Sequence, residues 1–278
     1  MTHSSSHDAR ASAPPPASAY VALEDGRYAS TDLTRGPWHP EHQHGGPPIA
    51  LAARGIARAA AALGLTHVAR LTANLLRPVP IAELALEVQT EYAGRNVAHF
   101  SAQLKAGGKE VVRFTAVAQR EAALEIPAGL AGHPLPQAPC AVEQSPPAPF
   151  LFSSTTTGYH DLIEGRVAAG VYFRGPSAAW FRMRYPLVAG EAPSALERVA
   201  IAADSGNGIS AILDFHRYIF VNSDLTINLL RQAQGEWICI DARTLLGPDG
   251  GGLAEARIFD AAGLIGRSTQ SLAIRLRD

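Results

Sequence analysis

Along this chain the period of the apolar positions changes twice, in the same order each time. From Gly45 to Gly64, Ile49, Ala52, Ala53 and Ile56 recur at helical spacing, and Pro47 and Pro48 suit a first turn. ELALEVQTEYA (83–93) then alternates, with Leu84, Leu86 and Val88 on one face, as a half-buried strand does. VAHFSAQLKAGGKEVVRFTAVAQR (97–120) predicts strand, turn at Ala106–Lys109, strand. The second half repeats the plan. A helix starts at Ser194 in SALERVAIAAD, where Ser194 and Glu197 form a capping-box pattern and Gly206 and Gly208 end it. WICIDARTLLG (237–247) alternates Ile238, Ile240 and Ala242, and GGLAEARIFDAAGLIGRSTQSLAIR (251–275) turns at Asp260–Gly263.

The repetition reaches the letters themselves. LTANLLRPV (71–79) returns as LTINLLRQA (225–233), an offset of 154. The same offset pairs Thr90 with Thr244, Ala102 with Ala256 and Arg113 with Arg267. One alanine-rich, largely buried helix followed by an antiparallel meander, written twice, predicts an α+β protein. Its plan is a tail at 1–19, one unit over 20–125, a Pro- and Ala-rich linker over 126–165 and a second unit over 166–278.

Composition narrows the function classes. The chain has 278 residues, 47% hydrophobic and 18% charged, with net charge −1, which gives no electrostatic case for nucleic acid or anionic membrane. Cys140 and Cys239 form no CxxC, so neither a disulfide framework nor a zinc site is expected. No apolar run reaches the ~20 residues that span a bilayer. The tail lacks the apolar core of a signal peptide, so the expected location is cytoplasmic.

A duplicated unit starts with two equivalent sites, and divergence leaves polar machinery in one. The offset sets Asp204 opposite Ala50, Gln270 opposite Ala116 and Asn222 opposite Val68. A carboxylate emerging from VAIAA needs a partner or a purpose. Capping a Gly-rich turn, for Asp204, and satisfying a backbone group, for Gln270, are the plainer alternatives. Gly45 and Gly46 in QHGGPP permit close backbone approach to a ligand at a helix N-terminus, or serve only a tight helix start. Arg77 and Arg231, after both repeated strands, suit ligand phosphates or are ordinary strand-end arginines. Trp180, Met183 and Tyr185 suit the wall of a ligand pocket or the core. HPEHQH (39–44) fits a loop with no distant ligand set, so no metal is expected. No G-x-S-x-G and no GxGxxG occurs.

QHGGPPIALAARGI (43–56), LTANLLRPVPI (71–81), AADSGNGIS (202–210), VNSDLTINLLR (221–231) and GRSTQSLAIR (266–275) together resemble the acyl-CoA thioesterase II-like family of double hotdog proteins. The resemblance runs from about residue 25 to the end, linker excepted. It implies two repeats, each a long helix wrapped by a curved antiparallel sheet, and hydrolysis of an acyl-CoA without metal or organic cofactor. It implies that an Asp, a Gln and a Thr or Ser hold the hydrolytic water. The Asp maps onto Asp204 and the Gln onto Gln270. The hydroxyl position lands on Asn222, with Ser223 and Thr226 nearby. His44, Gly45, Gly46, Arg77 and Arg231 are the expected substrate contacts.

Unpaired sheet edges predict a homo-oligomer. The alternatives are a non-catalytic acyl-thioester binder, given the departure at Asn222, and a hydratase or dehydratase. The last ranks third because such sites pair Asp with His, and no His follows Asp204 until His216.

Overall fold

The computed structural model describes residues 17–127, 134–148 and 156–277; the expected tail lies outside them as far as residue 16. In chain order the elements are β1 (Tyr20–Ala22), β2 (Arg27–Ser30), α1 (Gly46–Ala62), β3 (His67–Leu75), β4 (Glu83–Ala93), β5 (Val97–Ala106) and β6 (Lys109–Gln119). Then follow α2 (Tyr159–Leu162), β7 (Ile163–Ala169), β8 (Ser177–Met183), α3 (Ala195–Ala203), α4 (Gly206–Ile209) and β9 (Tyr218–Asn222). The chain closes with β10 (Asp224–Leu229), β11 (Ile238–Leu246), β12 (Gly251–Asp260) and β13 (Gly263–Leu276).

The helices form where the sequence places them, for local reasons. Pro47 and Pro48 occupy the first turn of α1, where a missing N–H leaves no intrahelical bond unmade. Gly64, at φ +70°, ends it, and the N–H groups of Gly64 and Leu65 donate back to Ala61 and Ala60. Ser194 caps α3 by accepting from Glu197 N at 3.3 Å. α3 is nine residues long, shorter than the long helix expected, because the chain turns out of helical register at Asp204 before α4 resumes.

One antiparallel sheet runs β1-β2-β4-β5-β6-β3-β10-β13-β12-β11-β8-β7, with β9 alongside β13. The order outward from the β3–β10 pair is the same on both sides: 3, 6, 5, 4 and 10, 13, 12, 11. The register keeps the offset read from the sequence. Thr72 faces Thr115 as Thr226 faces Thr269, and Ser101 faces Thr115 as Glu255 faces Thr269. Where the halves join, Thr226 faces Thr72 across the ladder and donates to its hydroxyl at 3.2 Å.

α1 lies on β3–β6 and α3 on β8, β11 and β12, while the two helices pack on each other. Their alanines allow this approach. At Gly55 a Cβ would stand 2.7 Å from Leu86, so α1 sits hard against β4. The interhelical layer of Ile49, Leu51, Ile56, Val199 and Ile201 is buried and continuous with the sheet's inner face. A smaller cluster forms where Val142 of the segment joining the halves covers Trp180, Cys239 and Phe259.

Candidate functional site

α1 and α3 run in opposite directions. Gly46, opening α1, lies against Ile201 near the end of α3, while Arg54 donates two hydrogen bonds (2.7 and 2.5 Å) to Glu191, ahead of α3. The start of α1 is therefore held beside the carboxylate that caps α3.

That carboxylate is Asp204, with a side chain 5% exposed. Its Oδ1 accepts from Asn222 Nδ2 at 2.9 Å. Its Oδ2 lies 3.0 Å from His44 Nδ1. The same ring nitrogen is 3.1 Å from the N–H of Gly46. The two contacts need opposite states of Nδ1: protonated, it donates to Asp204; unprotonated, it accepts from Gly46. Nε2 is the nitrogen left for the cavity that His44 lines.

Three neighbours hold the imidazole. Its backbone N–H donates to Thr34. The preceding Gln43 accepts from buried Tyr20 at 2.5 Å and donates to Pro80 at 2.7 Å. Burial pushes the Tyr20 phenol up, so it stays a donor. The ring of Tyr159 stacks on His44, centroids 3.7 Å apart and 4° from parallel. Tyr159 Oη donates to Ile201 O at 2.9 Å and meets Ser205 Oγ at 3.3 Å, so one side chain steadies both the histidine and the turn bearing Asp204. Burial also holds the Tyr159 phenol well above its ordinary range.

Gly45 has helical φ and ψ, so backbone freedom is not its reason. A Cβ there would stand 2.8 Å from Asp204 Oδ2; glycine leaves room for the carboxylate. Gln270, buried in β13, accepts from Asn207 N at 2.9 Å and donates to Asp204 O at 3.3 Å. It braces the break between α3 and α4. The three polar residues that stand opposite Ala50, Val68 and Ala116 by the offset thus meet around one point, while those three alanine and valine mates are buried.

Other expected residues lie elsewhere. Thr226 registers with Thr269, whose neighbour Gln270 points to the helices; Thr226 therefore shares the sheet's outer face and cannot reach Asp204. Arg231 is corrected as a ligand contact. It forms a two-pronged pair with Asp260 (2.6 and 2.7 Å), whose side chain is 0% exposed. Arg77 is exposed, donates to Glu110 O at 2.7 Å and does not line the cavity in front of His44. Trp180 is buried in the smaller cluster, and Met183 and Tyr185 pack on the main core, so none lines the cavity. The rings of His39 and His42 stack 4.3 Å apart, and burial and His39 lower the His42 pKa. Among the described residues no group of three or more His, Cys, Asp or Glu could hold a metal, and no helix is long and apolar enough to cross a membrane. No His follows Asp204 closely in the sequence, yet His44 reaches it from the other half of the chain.

A cavity of about 490 Å³ opens in front of His44 and Ser205, with Trp38, Tyr159, Phe215 and Phe220 on its walls. Asp204 lies behind His44, off the cavity surface. The pattern of apolar periods missed these aromatics because Trp38 and Phe215 sit in irregular segments and Tyr159 and Phe220 in elements of four and five residues, too short to show a period. A signal existed: Trp38-His39, Tyr159-His160 and Phe215-His216 are three aromatic–His pairs outside the predicted elements.

In solved structures the chain resembles a candidate thioesterase II from Thermobifida fusca (TM-score 0.71, 17% identity, covering 93% of this chain and 96% of that one). It also resembles a protein of unknown function with a hotdog fold from Alicyclobacillus acidocaldarius (0.69, 15%, 94% and 98%). A third is the acyl-CoA thioesterase II TesB2 from Mycobacterium marinum (0.63, 17%, 93% and 95%). These likenesses show a hotdog fold. No match was found among curated protein sequences. The family model for the acyl-CoA thioesterase N-terminal domain matches residues 34–119, and that for the C-terminal domain matches 139–274. With both halves matched in order, the chain belongs to the acyl-CoA thioesterase family.

Proposed function

We propose that the chain is a tandem of two hotdog units that hydrolyses an acyl-CoA at a single site, using Asp204 and His44 together as the base. The observation that carries this is the 3.0 Å contact between Asp204 Oδ2 and His44 Nδ1, with His44 on the cavity wall. Asn222 and Gln270 serve the carboxylate from either side: one fixes Oδ1, the other the Asp204 carbonyl. The proposed tandem rests on the offset of 154, which holds in sequence and in sheet register.

In the reaction a water oxygen attacks the thioester carbon while its proton passes to His44 Nε2. Asp204 accepts the hydrogen bond of Nδ1–H and favours the imidazolium that forms. The C–S bond then breaks, the proton on Nε2 goes to the departing sulfur, and the products are a carboxylic acid and the thiol of CoA. Pro47 and Pro48 remove two of the N–H groups at the start of α1, and Ile49 N donates to Gly45 O. The amides left there for a developing oxyanion are those of Gly45 and, once Nδ1 carries the proton and no longer accepts from it, Gly46. No step needs metal or an organic cofactor. The protein acts in the cytoplasm on a small-molecule substrate, as a homo-oligomer.

The test is thiol release from a panel of acyl-CoAs by wild type and His44→Gln. Turnover that falls by about 10²-fold or more in the variant supports the reading. Acyl-CoA binding with no thiol release from wild type would replace it with a binder. The Asp204–His44 pair itself favours a second reading, hydration of an enoyl thioester. Loss of enoyl absorbance without thiol release would establish that instead.

Two further outcomes follow from the geometry. Tyr159→Phe keeps the ring stack and loses only the hydroxyl contacts, so kcat/KM is expected to stay within about tenfold. Tyr159→Leu frees the imidazole and is expected to cost about 10²-fold, the usual scale for a misplaced catalytic group. Equal rates for the two would mean the stack does not position His44. Gly45→Ala is expected to lower kcat/KM by tenfold or more, with KM little changed, because its Cβ displaces Asp204; thermal melts should show the fold intact.

A further inference from the structure

The walls of the cavity in front of His44 have an unusual chemistry. Among the described residues the apolar surface there comes from Trp38, Phe173, Phe215, Phe220 and Tyr159 with Pro37 and Pro40; no Leu, Ile, Val or Met contributes. The same chain builds its interhelical core from Ile, Leu, Val and Ala, so the contrast is local. The rings are arranged, not merely collected. Trp38 lies 4.8 Å from Phe215, tilted by 34°, and meets Phe220 edge-on at 5.6 Å and 89°. Phe215 meets Phe220 at 6.3 Å and 85°. Arg277 covers Phe215 at 4.7 Å from the ring centroid. These edge-to-face contacts fix the ring planes and leave a box of defined faces.

A flexible alkyl chain gains mainly from area, which any apolar wall supplies. A flat ring gains in addition from faces and edges aligned with its own quadrupole. The Arg35 guanidinium, the one Arg or Lys among the described residues on this wall, is engaged by Asp32 and by the carbonyls of Thr157 and Pro40, which leaves it poorly suited to a second carboxylate on the substrate. We infer that the cavity selects an uncharged aryl or arylalkanoyl group on the thioester, Trp38 supplying the stacking surface and Phe215 and Phe220 holding its plane. This rests on the thioesterase reading above and names its substrate class.

The test compares phenylacetyl-CoA, cyclohexylacetyl-CoA and octanoyl-CoA, which carry eight acyl carbons each. The aryl ester is expected to be hydrolysed with a kcat/KM about tenfold above the saturated ring, the scale of one or two aromatic contacts. Trp38→Leu and Phe215→Leu should bring that ratio close to one. A wild-type preference for octanoyl-CoA, or a ratio unchanged in both variants, would overturn the inference. So would equal weakening of all three esters and of free CoA in the variants, since the ring read would then be the adenine of CoA. Thermal stabilisation by the same three esters is measured in parallel. Selective stabilisation by phenylacetyl-CoA without thiol release from any ester would sink the hydrolytic reading and leave the aryl pocket standing.

Discussion

Asp204→Asn is expected to lower kcat/KM for thioester hydrolysis by roughly 10³- to 10⁴-fold while leaving the melting temperature within a few degrees. The substitution keeps the shape. Oδ1 still accepts from Asn222, and Gln270 still donates to the backbone carbonyl. What changes is the tautomer of His44. An amide nitrogen at the Oδ2 position donates to Nδ1, so the ring proton moves to Nε2, and the nitrogen facing the cavity no longer takes a proton. The size of loss follows the known effect of replacing a buried Asp behind a catalytic His with Asn. His44→Gln should cost a similar factor, and the double variant little more than either alone, because the pair acts as a unit. Multiplying losses, or an Asp204→Asn enzyme with a tenth of wild-type activity, would sink the arrangement.

The largest effect on stability is expected at Asp260. Its buried carboxylate accepts both prongs of Arg231 and the N–H groups of Gln234 and Ala262. Burial alone would raise its pKa, but these four donors outweigh burial and hold it below the ordinary carboxylate value. Asp260→Ala strands the Arg231 charge and two amides, a loss of about 3–5 kcal/mol. For a chain of this size that lowers the melting temperature by roughly 10 °C. The pH dependence has a definite sign. A depressed folded pKa means the contribution is full above the unfolded value of about 3.9 and is lost as pH falls through the folded value. The melting-temperature gap between wild type and Asp260→Ala should therefore narrow only below about pH 4. A gap that closed near pH 6 would contradict it.

Why part of the site was readable in advance, and part was not, follows from how each residue gets there. Asn222 and Gln270 sit on strands and Asp204 at the end of a helix, and the offset of 154 supplies an internal control: each stands where the other half has Ala or Val. The correspondence of β3 with β10 and of β6 with β13 was legible for the same reason, whereas their pairing was not. The role of Arg231 was not, because strand alternation says nothing of a turn residue such as Asp260 folding back under it. Thr226 was misplaced for want of one fact, which face of β10 meets the helices. His44 could be tied to the site through QHGGPP, but its contact with Asp204 depends on the antiparallel setting of α1 against α3. Tyr159 comes from a stretch that composition marks as linker, and no periodicity announces it.

The mirrored sheet places Thr72 directly across from Thr226, its own counterpart in the other half. A residue in that position faces its own image, so two separate identical chains would admit only side chains able to complement themselves. A hydroxyl can, since it both gives and takes a proton; a lysine or aspartate would meet its own charge. Joining the halves in one polypeptide lifts that rule two residues away on either side. There Asn74 faces Asp224 and Arg70 faces Asn228, pairings that two identical strands could not write. The same release lets Asp204 stand in one copy and Ala50 in the other. Continuity of the chain is thus what permits asymmetry, and the contact of His44 with Asp204, drawn from the two halves, is one pairing of that kind.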